Sequence, residues 1–136
     1  PNDYAGTNSP EWGLYDSTDP ALISHHFKLA EEANLDALIC TWWGINHYTD
    51  IAFANLITMA EQDNPSIKLT IYYETYSGRI LEKPISEAME LISKEIIYVI
   101  ETYSDSGYFL KIEGKPVIFI YTTMIFSPIF WQKVIF

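Results

Sequence analysis

The sequence predicts an α/β fold in which short parallel strands alternate with helices. Three observations carry that expectation. Hydrophobic spacing along the 136 residues switches repeatedly between a two-residue and a helical period. The switches fall at residues that stop or start elements, such as Asp19-Pro20, Asn34, Asp63-Asn64-Pro65 and Pro84. Finally, 49% hydrophobic and 15% aromatic content supplies enough apolar side chain for one packed domain and argues against disorder.

Residues 1–18 are rich in Asn, Gly, Ser, Thr and Pro and read as a leading loop. Asp19-Pro20 then starts a helix: the Asp carboxylate can accept a bond from a free amide, and proline suits the first helical position. That helix runs to about Ala33, with Leu22, Leu29, Ala30 and Ala33 as its inner stripe, and Asn34 suits a left-handed stop. Residues 36–42 form a short apolar strand, and 44–48 a loop. Thr49 caps a second helix whose face is Phe53, Leu56, Ile57 and Ala60. Residues 67–74 are the next strand, followed by a polar loop over 75–83. Pro84 opens a long helix with a face of Ile85, Ala88, Met89, Ile92, Ile96, Val99, Ile100 and Tyr103. Glu113-Gly114 marks a hairpin turn between 108–111 and 115–121, and the 116–121 run is the next core strand. Ser127 and Pro128 begin a last helix. Alternation of this kind implies parallel pairing through right-handed crossovers. Residues 19–136 carry the elements of a single domain; the absence of an initial Met and the apolar last residues Val134-Ile135-Phe136 point to a segment of a larger sheet.

Charge and composition narrow the function. With 8 basic and 18 acidic residues, the chain has a net charge of −10 and no Lys/Arg cluster, which argues against nucleic-acid binding. The single cysteine, Cys40, excludes an internal disulfide and a thiolate metal cluster; within Ala37-Leu38-Ile39-Cys40 it reads as a small buried hydrophobe. Residues 117–136 are apolar enough to raise a membrane span, but Thr122, Thr123, Ser127, Pro128, Gln132 and Lys133 interrupt them, and a strand, loop and helix start explain the same residues. No zinc spacing, phosphate loop or dinucleotide fingerprint is present, so neither a metal nor an organic cofactor is expected. The residues carry no signal-peptide pattern, and the compartment is left open.

In parallel α/β folds the site lies beyond the carboxyl ends of the strands. That rule selects Trp42-Trp43-Gly44-Ile45-Asn46-His47, Tyr72-Tyr73-Glu74-Thr75-Tyr76 and Tyr121-Thr122-Thr123. Along the second strand, Ile67, Leu69, Ile71 and Tyr73 suit packing on helices, whereas Lys68, Thr70, Tyr72 and Glu74 suit the opposite face, with Glu74 uppermost. A carboxylate there can hold a sugar hydroxyl or move a proton; alternatively it bonds a neighbouring strand or loop. Trp42 and Trp43 are adjacent and point to opposite sides, so at most one faces the pocket while the other packs under a helix. Flat rings of this type bind the apolar face of a pyranose. His47 is placed to reach a ligand or to sit at the surface, and Tyr121 is a candidate by position; His25 and His26 fall mid-helix, far from the rim.

Four stretches together resemble glycoside hydrolases of family 99. Gly13-Leu14-Tyr15-Asp16-Ser17-Thr18-Asp19-Pro20 resembles the G-x-Y-D-S-x-D-P approach to that family's first helix. Residues 34–44, ending in Thr41-Trp42-Trp43-Gly44, resemble its G-I-D-x-x-x-x-S-W-W-G strand, with Asn34 in place of Gly. Ile71-Tyr72-Tyr73-Glu74 resembles its Y-Y-E strand end, and residues 113–121 its D-G-K-P-V-x-x-x-Y hairpin and strand.

The resemblance implies a partial (β/α)8 barrel, about the second to fourth strands, and an endo-acting enzyme that cleaves α-mannosidic linkages with retention. It also implies participation of the substrate's own 2-hydroxyl assisted by one carboxylate, with a second carboxylate as acid/base, unlike the usual pair in which a carboxylate attacks the sugar. Carried over, Glu74 is the strand-end carboxylate of the cleft, one Trp of the Trp42-Trp43 pair falls in the sugar-facing tryptophan region and Tyr121 is a strand-end aromatic; with Tyr72 and His47, which are candidates by position, these residues make up the substrate-binding set. The family's acid/base pair lies on a later strand, and no Glu-rich motif of that kind occurs here, so this chain alone is expected to be inactive. The implied partner is an oligo- or polysaccharide. Residues 76–84 also resemble a stretch of WbsX-like polysaccharide-biosynthesis proteins. A non-catalytic carbohydrate-binding barrel and an independent small acidic α/β domain are the other readings.

Overall fold

A computed structural model of the chain describes Gly13 and residues 16–135. Most of the leading loop, with Leu14 and Tyr15 of its motif, lies outside the described residues.

Helix α1 spans Pro20–Glu32, and Asp19 caps it as expected, its carboxylate accepting from the Ala21 amide at 2.9 Å. The Asn34 stop is also observed, at φ 52°. The buried stripe of α1 differs from the sequence expectation. It consists of Leu22, Ile23, Phe27 and Ala30, while Leu29 and Ala33 face outward. Spacing explains this: 23, 27 and 30 repeat at four and three residues and keep one face, whereas 29 and 33 lie on the neighbouring one.

Strand β1 (Ala37–Trp42) leads into α2 (Tyr48–Asp63), then β2 (Lys68–Tyr73), the single-turn α3 (Gly78–Leu81) and the long α4 (Ile85–Tyr103). The segment 75–83, expected as loop, holds α3. On α2 the expected Phe53, Ile57 and Ala60 are buried, with Leu56 half-buried. On α4 the inner face is Ala88, Ile92, Glu95, Val99 and Tyr103; Ile85 and Ile100 are exposed, contrary to expectation.

The sheet has the order β1-β2-β5, all parallel, with β5 at Phe119–Ile120. Thr41 pairs with Tyr72, and Tyr72 with Phe119. The third strand is interrupted. Its first half bridges β2 at Leu69 and Phe109; the chain then leaves through an antiparallel hairpin, β3 (Lys111–Ile112) and β4 (Lys115–Pro116), and returns to pair at Phe119. The hairpin turns on Glu113 (φ 52°) and Gly114 (φ 77°), both left-handed, the geometry that matches the twist of paired strands. Two threonines, one in β2 and one just beyond it, tie the returning segment down: the Thr70 hydroxyl donates to the Val117 carbonyl, and Thr75 Oγ1 donates to the Tyr121 carbonyl at 2.5 Å. A 3-10 turn at Thr123–Ile125 and helix α5 (Pro128–Ile135) follow; the Ser127 hydroxyl caps α5 by accepting from the Phe130 amide at 3.2 Å.

The core lies between the sheet and the helices, built from Phe27, Trp42, Phe53, Leu69, Ile71, Tyr73, Ile92, Val99 and Phe109. Cys40 packs against it, and burial pushes its thiol up to about 11. No helix among the described residues is long and apolar enough to cross a membrane.

Candidate active site

Strand alternation sorts the sheet into two faces. Leu38, Cys40 and Trp42 of β1, with Leu69, Ile71 and Tyr73 of β2, pack toward the helices. Ile39, Thr41 and Trp43 share the other face with Thr70, Tyr72 and Glu74. The Glu74 amide donates to the Trp42 carbonyl at 2.9 Å, and the Tyr121 amide to the Tyr73 carbonyl at 2.9 Å, so the ladder continues one residue past the Trp42–Tyr73 and Tyr73–Ile120 pairs. Trp43, Glu74 and Tyr121 thereby fall in one row at the carboxyl ends of three parallel strands, on the face away from the helices. One level below, the Tyr72 ring meets the Tyr121 ring edge-on at 5.7 Å. Glu74 is half-buried, and among the described residues its carboxylate takes no hydrogen bond or ion pair.

The two tryptophans separate. Trp42 is 0% exposed; its indole N–H donates to Asp50 at 3.0 Å, and its ring lies against Tyr73 and Tyr98. It has no surface to offer a sugar, so the sugar-facing expectation for Trp42 is corrected: the residue is core, placed there by strand parity. Trp43 is half-buried, with His47 at 6.3 Å between ring centroids. His47 takes the capping role that the sequence assigned to Thr49. Its Nδ1 accepts from the Thr49 amide at 3.4 Å at the start of α2, and its ring lies 4.5 Å from that of Tyr48. The cap holds the imidazole beside Trp43.

Two buried carboxylates behind the rim were not identified from sequence. Asp50, 4% exposed, accepts from Trp42 Nε1, the Asn46 amide (2.9 Å), Tyr98 Oη (3.1 Å) and Tyr103 Oη (2.7 Å). Burial and the bond to Asp50 push the Tyr103 phenol well above its ordinary range, so it stays a donor. Glu95, 2% exposed, forms a forked ion pair with Arg79, at 2.6 Å from Nη1 to Oε1 and 3.0 Å from Nη2 to Oε2. It also accepts from the Tyr73 hydroxyl, and from the Ile45 amide at 3.4 Å. Burial, then the Glu95 charge and hydrogen bond, raise the Tyr73 phenol. Burial alone would lower the Arg79 pKa; the bond to Glu95 and its charge outweigh that and raise it. The signal for both carboxylates was helical spacing: Asp50 precedes Phe53 and Ile57 on the inner face of α2, and Glu95 lies between Ile92 and Val99 on that of α4.

A groove of about 660 Å³ lies elsewhere, along α4 and Lys133, lined by Met89, Ile97 and Tyr98 among others. It contains none of the row residues. Among the described residues no group of three or more His, Cys, Asp or Glu side chains converges as metal ligands would.

An aromatic and acidic row beyond the ends of parallel strands, backed by helices, defines the class: α/β enzymes of the barrel type, whose sites are built from strand ends and the loops that follow them. The chain belongs to glycosyl hydrolase family 99, whose family model matches residues 1–136. Mouse glycoprotein endo-alpha-1,2-mannosidase is 24% identical over 146 residues, covering 99% of this chain and 29% of that protein. A glycoprotein endo-alpha-1,2-mannosidase-like protein of Danio rerio is 27% identical over 144 residues, covering 99% of this chain and 31% of its own length. Among solved structures, the GH99 endo-alpha-mannosidase of Bacteroides thetaiotaomicron superimposes with a TM-score of 0.78 at 30% identity, over 96% of this chain and 35% of that one. The same enzyme in complex with BIS-TRIS-propane gives a TM-score of 0.75, over 91% and 35% of the two chains. The chain therefore spans about a third of the length of these relatives. Its three-stranded sheet is a segment of a (β/α)8 barrel, and the likeness does not favour the polysaccharide-biosynthesis or non-catalytic readings.

Proposed function

We propose that this chain forms part of the substrate cleft of an endo-acting glycoside hydrolase that cleaves α-mannosidic or related glycans. Trp43, Tyr72, Tyr121 and His47 line the cleft, and Glu74 contacts the sugar at its reacting end. The observation that carries the reading is the row itself: one half-buried carboxylate with no side-chain partner among the described residues, between an indole and a phenol at the same level of a parallel sheet. Aromatic faces cover the apolar side of a pyranose and exclude water. A carboxylate in such a setting accepts a hydroxyl proton more readily as water leaves. In this reading Glu74 accepts from the sugar 2-hydroxyl, assisting its attack on the neighbouring anomeric carbon, as the family resemblance implies. Glycosidic cleavage also needs an acid to protonate the leaving oxygen. Glu95, a buried carboxylate in the network behind the rim, is committed to Arg79 and Tyr73 and does not serve. The acid/base carboxylate is assigned to another part of the barrel, and this chain alone does not turn over substrate.

Glu74→Gln in the intact protein tests the reading. It keeps the shape and removes the base, so kcat/KM on an α-mannosidic glycan should fall about 100-fold or more while the melting temperature stays within about 2 °C, as for a surface-facing change. Unchanged specific activity with lowered stability would make Glu74 a structural residue.

A further inference from the structure

Trp43 and Glu74 lie on different strands, and each opens a different loop, so their separation depends on how those loops are held. Three elements converge behind them on one side chain. Glu95 of α4 accepts from the Ile45 amide in the loop after β1, from the Arg79 guanidinium on α3 in the loop after β2, and from the Tyr73 hydroxyl at the end of β2. The fit is close. Gly44, at φ +127°, is buried, and a Cβ there would stand 2.8 Å from Glu95 Oε1 and 2.9 Å from Arg79 Cζ. The ion pair packs against the bare Cα of the residue that follows Trp43.

Stability alone gives little reason for a charge at this point. Position 95 falls on the buried stripe of α4 with Ala88, Ile92, Val99 and Tyr103, where an apolar side chain would pack. Glu95 is the buried member of the pair, while the Arg79 side chain keeps 36% of its surface exposed; buried charges replaced with their partners by apolar residues of similar volume commonly leave stability unchanged or raise it. A forked guanidinium–carboxylate pair instead contributes direction and a fixed distance. The loop after β1 is pinned on both sides, at Ile45 by Glu95 and at Asn46 by Asp50; the loop after β2 is pinned at Arg79.

We propose that Glu95 and Arg79 are positioning residues that set the separation of the Trp43 indole and the Glu74 carboxylate across the cleft. The proposal rests on the reading of the Trp43–Glu74 row as a sugar site. It touches no substrate atom; it acts through the two loops.

The experiment uses the intact protein and the double variant Glu95→Gln/Arg79→Gln, which removes both charges together and leaves one carbonyl acceptor for the Ile45 amide, with the new amide NH2 facing the Tyr73 hydroxyl, which can accept from it. Assayed on an α-mannosidic glycan at a temperature where wild type and variant are both folded, kcat/KM should fall ten- to a hundred-fold, the scale of an ångström-sized misplacement. Arg79→Lys keeps one charge without the fork, and it should lose about tenfold with its melting temperature nearly unchanged. If either variant keeps kcat/KM within twofold of wild type, whatever its melting temperature, the pair is structural and the proposal fails. Should the double variant not fold, Arg79→Lys decides alone on the same threshold. Glu74→Gln is run beside them. Activity that survives Glu74→Gln removes the site reading itself, whereas dependence on Glu74 with indifference to the pair removes only the positioning role.

Discussion

Asp50 offers the sharpest energetic test of how the rim is built. Each of its carboxylate oxygens takes two donors: Oδ1 from Trp42 Nε1 at 3.0 Å and Tyr103 Oη at 2.7 Å, Oδ2 from the Asn46 amide at 2.9 Å and Tyr98 Oη at 3.1 Å. That fills the acceptor capacity of a carboxylate. Asp50→Ala takes the side-chain acceptor from all four donors, but not at equal cost, and Tyr103 Oη keeps only its longer contact of 3.4 Å to the residue-50 carbonyl. Trp42 and Tyr103 are 0% and 5% exposed and have no route to water, whereas Asn46 is exposed and Tyr98 half-buried. Leaving a buried donor unpaired costs about 1–3 kcal/mol. The two buried donors therefore set a loss of about 2–6 kcal/mol, centred near 4. Asp50→Asn keeps the carbonyl for the two buried donors and places its amide toward the two that water or rotation can satisfy, so it should cost about 1–2 kcal/mol. Urea unfolding of the intact protein, followed by tryptophan fluorescence, reads both as shifts in midpoint at constant m. A loss below about 1 kcal/mol for Asp50→Ala, or equal losses for Ala and Asn, would refute the weighting of donors by burial.

The two adjacent indoles should respond in opposite ways. Trp42→Ala should lower stability by about 3–5 kcal/mol, whereas Trp43→Ala should leave the melting temperature nearly unchanged and weaken glycan affinity; matching stability losses would contradict the face assignment. Cys40 should resist iodoacetamide at pH 8 in the folded protein and react readily in urea, because burial raises its pKa from 9.0 to about 11. Through that window the unfolded thiol ionises and the folded one does not, so the unfolded state binds fewer protons and stability falls as pH rises from about 9 to about 11. Equal alkylation rates in the two states would show the thiol accessible.

The elements most legible in the sequence were those fixed by local chemistry. Asp19-Pro20, Asn34, Glu113-Gly114 and Ser127 each act through backbone geometry or a neighbouring amide, and each is found where it was expected. Strand parity was legible too: it separated Tyr73 from Glu74 and required the two tryptophans to diverge, although not which would be buried. Long-range pairing was less visible. Helix faces were assigned by hydrophobicity, which drew in Leu29, Ile85 and Ile100 and passed over Asp50 and Glu95. The geometric period of α4 includes 95, but a charged residue there looks like a break in the stripe until Arg79, sixteen positions earlier, is seen across from it. The split of the third strand was hidden for a similar reason, since Leu110 and Val117 become neighbours only when both find the edge of β2.

That split has a mechanical consequence. The Val117 amide donates to the Leu110 carbonyl at 2.9 Å, closing the neck of the excursion, and Leu110 and Phe119 are each held to β2 on either side of it. Loop-closure cost rises only slowly with length, so residues added or removed around the exposed Glu113-Gly114 tip change the size of a sealed side loop, and the strain stops at its neck. The chain can vary outward at this point, in contour or in what it presents to solvent, while Tyr121 keeps its level beside Glu74.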